Sequence, residues 1–152
     1  MPEREIPTKI ICDLDGTLAD IEHRVHHIRG GRPRDWDAFF QACPDDLPIH
    51  NTIHLVQRLH EVGFCVLIVS GRSDLVRAET EEWLEKHEVP YDRLLMRRDM
   101  DHRSDTIVKA EMVDELGIGP EDVLMVLDDR NKVVDMWRER GFHTFQVAPG
   151  DF

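Results

Sequence analysis

Basic residues are scarce: 19 Lys and Arg stand against 31 Asp and Glu, a net charge of −12. So acidic a chain does not attract nucleic acid through a broad basic surface, because that attraction depends on neutralising many phosphates at once. Gripping a single terminal phosphate through a few local arginines is still open to it. Long apolar runs are missing too, and none approaches the ~20 residues of a membrane-spanning helix. No membrane partner is expected. The segment Met1-Pro2-Glu3-Arg4-Glu5 has no apolar core, so no secretory signal is expected. Cysteines number only three, Cys12, Cys43 and Cys65. Their odd count and scattered spacing fit neither a disulfide framework nor a zinc site; reduced core thiols in a cytoplasmic protein are expected. Internal repeats and low-complexity tracts are absent.

What is present is the composition of one globular domain. Of 152 residues, 41% are hydrophobic, enough for a proper core. We expect a single domain over 1–152, with 18–47 as a small lid-like insertion.

The feature that organises the chain is Ile10-Ile11-Cys12-Asp13-Leu14-Asp15-Gly16-Thr17. An apolar strand over 8–13 ends in two carboxylates spaced by one residue. Residues 1–7 read as a polar lead-in. Residues 18–28 are compatible with a helix, and Gly30-Gly31-Arg32-Pro33 is a break. Asp35 caps a short helix to Ala42, which carries Trp36, Phe39 and Phe40, and Cys43-Pro44-Asp45-Asp46 closes it. Some thirty residues thus separate the first strand from the next clear helix, more than an ordinary connection.

That helix runs from Pro48 to Val62 on the spacing of Ile49, Ile53, Val56, Leu59 and Val62. A continuous apolar strand over 64–69 then ends in Ser70-Gly71-Arg72. Ser73 caps a helix to about Glu88, and Leu94-Leu95-Met96 is a short strand. A helix over 105–116 follows, then a buried strand over 123–127 ending in Asp128-Asp129. Last come a helix over 132–140 and a strand over 142–147.

Strands alternate with helices, and the central strands are apolar on both faces. The pattern predicts a Rossmann-like three-layer α/β/α fold around a parallel five-stranded sheet. Right-handed crossovers bring Asp13/Asp15, Ser70/Arg72 and Asp128/Asp129 to one sheet edge, where ligands sit in open α/β sheets.

Four carboxylates on one rim repel each other unless a cation joins them. Hard oxygen donors suit Mg²⁺, and the candidate set is Asp13, Asp15, Asp128 and Asp129, with Asp13 and either Asp128 or Asp129 the natural ligands. A carboxylate facing a metal-bound phosphate is a known nucleophile, which casts Asp13 in that role. Asp15 is placed to protonate the leaving oxygen and later take a proton from water. Ser70 can bond a phosphoryl oxygen, and Lys109 is a fixed cation for those oxygens or for Asp13.

Asp13-Leu14-Asp15-Gly16-Thr17, Ser70, Lys109 and Asp128-Asp129, in this order, resemble the motifs of the haloacid dehalogenase superfamily of phosphatases. Further stretches resemble the 3′-phosphatase domain of bacteriophage polynucleotide kinase-phosphatases: Val69-Ser70-Gly71-Arg72, 101–109, 127–138 and 146–152. The resemblance runs from about Ile10 to the end and is weakest over 18–62. It implies Asp13 as nucleophile and Asp15 as acid/base. It implies Arg24 in the site and Arg72 at the substrate phosphate or its neighbour, both as substrate-binding candidates, with Asp105 and Lys109 as the third motif. Arg97 or Arg98, and Arg103, are further substrate-facing candidates on the same ground. No G-x-x-x-x-G-K-[ST] phosphate loop precedes Asp13, so 5′-kinase activity is not expected. A separate kinase or ligase acting in trans is the partner that this implies.

The resulting expectation is a Mg²⁺-dependent phosphomonoesterase acting on a 3′-phosphorylated DNA or RNA end. The negative charge keeps open the same chemistry on a mononucleotide or similar metabolite. A phospho-acceptor receiver uses a similar acidic set but needs its aspartate on a middle strand, where Ser70-Gly71-Arg72 stands instead. A non-catalytic binding module is disfavoured, since every catalytic position is filled. His23, His26 and His27 match no compact metal site and read as a polar helix face. Trp36, Phe39 and Phe40 read as core rather than as a platform for a base.

Overall fold

The computed structural model describes residues 5–31 and 33–152. Met1 to Arg4 of the polar lead-in, and Arg32 of the glycine-rich break, lie outside the described residues.

Strand β1 (Lys9–Cys12) leads into a small ribbon of β2 (Ala19–Asp20) and β3 (Leu47–Pro48). Strands β4 (Cys65–Ser73), β5 (Arg93–Arg97), β6 (Val123–Asp128) and β7 (Thr144–Gln146) follow. The main sheet has the order β5-β4-β1-β6-β7 with every pairing parallel. This is the predicted five-stranded α/β architecture. β1 lies in the centre, flanked by β4 and β6, and its Ile10, Ile11 and Cys12 are buried.

Side chains alternate between the two faces of the pleat. Ile10 and Cys12 join Val66, Ile68, Ile53, Val56 and Trp83 in one buried cluster. Ile11 joins Leu67, Val69, Val113, Val133 and Trp137 in the other. Helices α2 (His50–Glu61) and α3 (Arg77–Lys86) supply the first cluster, and α4 (Asp105–Glu115) and α5 (Asn131–Glu139) the second. Burying both faces makes three layers. Each fully buried Ile, Leu or Val side chain contributes about 1.5–3 kcal/mol.

The segment between β1 and α2 departs from expectation. The helix expected over 18–28 is a two-residue strand followed by a 3₁₀ turn, Glu22–His27. Ala19 pairs with Pro48 and Asp20 with Leu47, and the Ile49 amide donates to the Leu18 carbonyl at 2.8 Å. This clasp holds the backbone of 19–20 extended, so no helix can start there. It also takes Pro48 into β3, and α2 begins at His50. Helix α1 (Trp36–Gln41) forms as predicted, with Asp35 Oδ1 accepting from the Ala38 amide. The Ser73 hydroxyl caps as expected, but on a 3₁₀ turn, Asp74–Val76, that precedes α3. Among the described residues, no helix is long and apolar enough to cross a membrane.

Candidate active site

Three strand ends converge. The Asp13 amide donates to the Leu127 carbonyl at 2.9 Å, which sets the end of β1 beside that of β6. Asp13, Asp128 and Asp129 are all buried, and their carboxylates offer oxygens within 4.8 Å of one another. The chain bends away at Gly16, with φ +82°. A side chain there would run into the Asp129 carboxylate, so both the turn and the close approach require glycine.

Lys109, buried on α4, reaches over this trio. Its Nζ donates to Asp13 Oδ1 at 2.8 Å and to Asp128 Oδ2 at 3.0 Å. Thr17 Oγ1 donates to Asp13 Oδ2 at 3.1 Å. Asp128 is fixed further by Trp137 Nε1 at 3.3 Å and by the Asp129 amide at 2.9 Å. Burial, then the Asp128 charge, push the Asp13 carboxyl up from its ordinary value against the pull of Lys109. Burial raises Asp129 as well. Burial opposes the Lys109 charge, but Asp128 and Asp13 outweigh it and raise its pKa. One lysine does not neutralise three buried carboxylates. The trio therefore has the hard oxygen donors and the charge deficit that suit a small divalent cation.

Asp15 was counted with the metal carboxylates on sequence grounds, but it stands outside this trio. Its Oδ1 accepts from Arg72 Nη2 at 2.5 Å and Arg24 Nη2 at 2.7 Å. Burial works against its charge, but Arg72 and then Arg24 outweigh it and lower the pKa to about 2. Both arginines were expected among the substrate-binding residues, Arg72 at the phosphate or its neighbour. They are fully buried and face Asp15 and Asp46. A guanidinium in an apolar interior needs carboxylate partners, and these two carboxylates supply them.

Ser70 is buried at the end of β4, and its Oγ accepts from the Arg72 amide at 3.1 Å. Its own proton remains free to donate. Asp105 pairs with Arg97 and, at 2.8 Å, with Arg130. Arg97 is buried and bonds the carbonyls of Gly71, Asp101 and Arg103. Of the two alternatives, therefore, Arg97 braces the loop and Arg98 is the exposed one at the cavity. Arg103 is exposed but occupied by Asp101 and Glu111.

The trio, Asp15 and Lys109 open into a cavity of about 390 Å³. One wall is Ile21, Val25, Ile28, Trp36, Phe39 and Phe40 from the segment after β1; the other is the 97–105 loop. Phe39 is core, as expected, but Trp36 is 40% exposed and stacked near Phe40. Residue-by-residue reading missed Asp46, which appeared only as a helix stop. Its one signal was an acid in an unusually long connection.

A family model, the polynucleotide kinase PNKP phosphatase domain, matches residues 7–152. The chain belongs to that family. It is a phosphatase domain of the haloacid dehalogenase fold. A solved structure of a Pnkp1/Rnl/Hen1 complex contains a chain 38% identical to it, with a TM-score of 0.82. The match covers 97% of this chain and 47% of that one. A protein of the Autographa californica nuclear polyhedrosis virus, named as a bifunctional polynucleotide kinase/RNA ligase, is 27% identical over 136 residues. That is 89% of this domain and 18% of the viral protein. The domain thus spans less than half the length of both relatives. A phosphatase-like structure from Clostridium acetobutylicum shares only the fold, with 16% identity and a TM-score of 0.69 over 92% of this chain and 84% of that one. Membership of a phosphatase family sets aside the receiver and binding-module readings.

Proposed function

We propose that this domain is a Mg²⁺-dependent phosphomonoesterase that removes 3′-phosphate from nucleic-acid ends through an aspartyl-phosphate on Asp13. The observation that carries the reading is the side-by-side placement, at one cavity, of a lysine-clamped carboxylate trio and a separate arginine-held carboxylate, Asp15.

Asp13, Asp128 and Asp129 would hold the cation. When bound, it supplies positive charge against the phosphoryl oxygens. Lys109 steadies the Asp13 carboxylate, and Ser70 can donate to a phosphoryl oxygen. An Asp13 oxygen attacks phosphorus, and the bond from phosphorus to the 3′-oxygen breaks. The departing oxygen takes its proton from Asp15. Asp15 is held ionised in the free site, and the negative phosphate arriving beside it favours its protonated form. In the second step a water attacks the aspartyl-phosphate and gives a proton back to Asp15. Phosphate leaves and Asp13 is restored.

The nucleic-acid substrate rests on the family and on the similarity to a chain of the Pnkp1/Rnl/Hen1 complex, solved elsewhere as an RNA repair complex. The cavity supports it with room beyond the phosphate, an exposed tryptophan and Arg98. We read residues 18–47 as the lid that shapes this room, within a single domain. A kinase or ligase would then act on the same end, before or after this domain, and the setting would be cytoplasmic. The net charge of −12 favours a second reading, a mononucleotide substrate. Comparing kcat/KM for a 3′-phosphorylated oligonucleotide and the free 3′-mononucleotide, each with Mg²⁺, decides between them. Preference for the mononucleotide would overturn the polynucleotide reading.

A further inference from the structure

Of the three carboxylates in the buried trio, Asp129 is the one that side-chain donors hold least. Asp13 accepts from Lys109 and Thr17, and Asp128 accepts from Lys109 and Trp137. Among the described residues, the side-chain donor outside the trio that reaches Asp129 is Thr17 Oγ1, at 3.5 Å, and it also serves Asp13 at 3.1 Å. A hydroxyl has one proton to give, and Asp13 has the shorter bond. The direction of the Asp129 carboxylate is therefore set through its backbone.

That backbone is gripped by residues 146–152, the end of β7 and the segment after it. The Val147 amide donates to the Asp128 carbonyl at 3.0 Å, and Gln146 Nε2 donates to the Asp129 carbonyl, also at 3.0 Å. The Asn131 amide donates to the Gly150 carbonyl at 2.9 Å, and Arg130 Nε donates to the Phe152 carbonyl at 2.7 Å. Each residue from 128 to 131 is thus bonded to this segment. Contact is closest at Gly150, which is buried. A Cβ there would stand 1.8 Å from the Asp129 carbonyl oxygen and 2.6 Å from the Arg130 Cα. Both neighbours are backbone atoms, so no change of rotamer relieves the clash. At its other end Asp129 meets Gly16, where a Cβ would stand 2.1 Å from Oδ2. Asp129 therefore lies between two glycines, one against its carbonyl and one against its carboxylate.

We propose that Gly150 and Gln146 are positioning residues for the cation: by fixing the 128–131 turn they aim the Asp129 carboxylate into the trio. This rests on the reading of Asp13, Asp128 and Asp129 as the cation site. Groups that orient a metal ligand without touching the metal typically carry about 10–100-fold in affinity. A brace that served the fold alone would lower the melting temperature and leave the affinity of the folded domain for the cation unchanged.

The test separates affinity from stability. Mg²⁺ is titrated calorimetrically into the wild-type domain, Gly150→Ala and Val56→Ala, all at one temperature at which melts in EDTA show them folded. Val56 is buried on α2, and its truncation destabilises the fold through a core cavity alone. For Gly150→Ala we expect Mg²⁺ to bind at least about tenfold more weakly than to wild type. For Val56→Ala we expect a lower melting temperature and the affinity of wild type. Wild-type affinity in Gly150→Ala, or an equal loss in Val56→Ala, would overturn the proposal. Should Gly150→Ala not fold, Gln146→Met decides. It keeps the bulk of the side chain, removes the donor to the Asp129 carbonyl and adds no clash. Binding about tenfold weaker is expected there too, and unchanged affinity overturns the proposal. The wild-type titration separates the two failures: no Mg²⁺ binding there would overturn the cation site itself, and the proposal with it, before any variant is compared.

Discussion

Lys109 Nζ lies 2.8 Å from Asp13 Oδ1, although 96 residues separate them in the chain. The pair joins the end of the central strand to α4, and the second Asp13 oxygen, Oδ2, accepts from Thr17. Lysine on one oxygen and a hydroxyl on the other fix the plane of the carboxylate. A nucleophile gains from such fixing, because less freedom remains to be lost on reaction.

Asp13→Asn tests the covalent step directly. The amide keeps the shape and lowers the negative charge of a crowded trio, so the fold should survive. We expect turnover at background and a melting temperature no lower than wild type. Wild-type-like hydrolysis by this variant would refute the aspartyl-phosphate scheme.

Cation binding should appear as stability. Asp13 and Asp129 have raised pKa values, Asp129 to about 6. A carboxyl whose folded pKa lies above its unfolded value loses stability for the fold as pH rises from the unfolded pKa through the folded one. Bound Mg²⁺ favours the ionised forms and offsets that loss. The rise in melting temperature on adding Mg²⁺ should therefore be larger near pH 7 than near pH 4, and EDTA should reverse it. Equal shifts at both pH values, or activity that resists EDTA, would count against the metal role.

Asp15 has the opposite sign. Its pKa is lowered to about 2 by Arg72 and Arg24. The stability it brings is fully present above the unfolded carboxylate pKa, about 4, and is lost as pH falls through about 2. This amounts to about 2 kcal/mol. Urea titrations between these pH values should show the loss in wild type and a smaller one in Asp15→Asn. The same variant should slow both the formation and the hydrolysis of the phospho-enzyme.

Trp36 offers a check on the substrate. A base stacked on an aromatic ring is worth about 1–3 kcal/mol. Trp36→Ala should raise KM for a 3′-phosphorylated oligonucleotide by about tenfold or more and leave p-nitrophenyl phosphate hydrolysis little changed. Equal effects on both would place Trp36 in the packing of α1 rather than at the substrate.

Much of the sheet was legible because its signals are local. The apolar run into Asp13, the strand into Ser70 and the strand into Asp128 each stop where polar residues begin. Asp35 marked its helix through a bond only three residues long. The segment over 18–28 misled because its residues are compatible with a helix, while the clasp that prevents one comes from Leu47 and Pro48, far along the chain. Arg24 and Arg72 were found by motif and read as substrate-binding, with no indication of the two carboxylates that they face. A motif states that an arginine is near the site, not which way its guanidinium points.

By itself the sequence determined the alternation of the main-sheet strands with helices and the sheet edge where the acids gather, and it singled out Asp13, Asp15, Ser70, Lys109, Asp128 and Asp129 as candidates. The elements follow from side-chain periodicity, and the candidates from strand-end position together with the order of motifs that the family resemblance supplies. Only the tertiary structure divided the acids into two groups, a trio clamped by Lys109 and a single Asp15 facing two arginines. It alone brought in Asp46. The reason is physical: a buried charge takes whichever opposite charge packing brings within reach, and that partner is set by folded geometry rather than by distance along the chain.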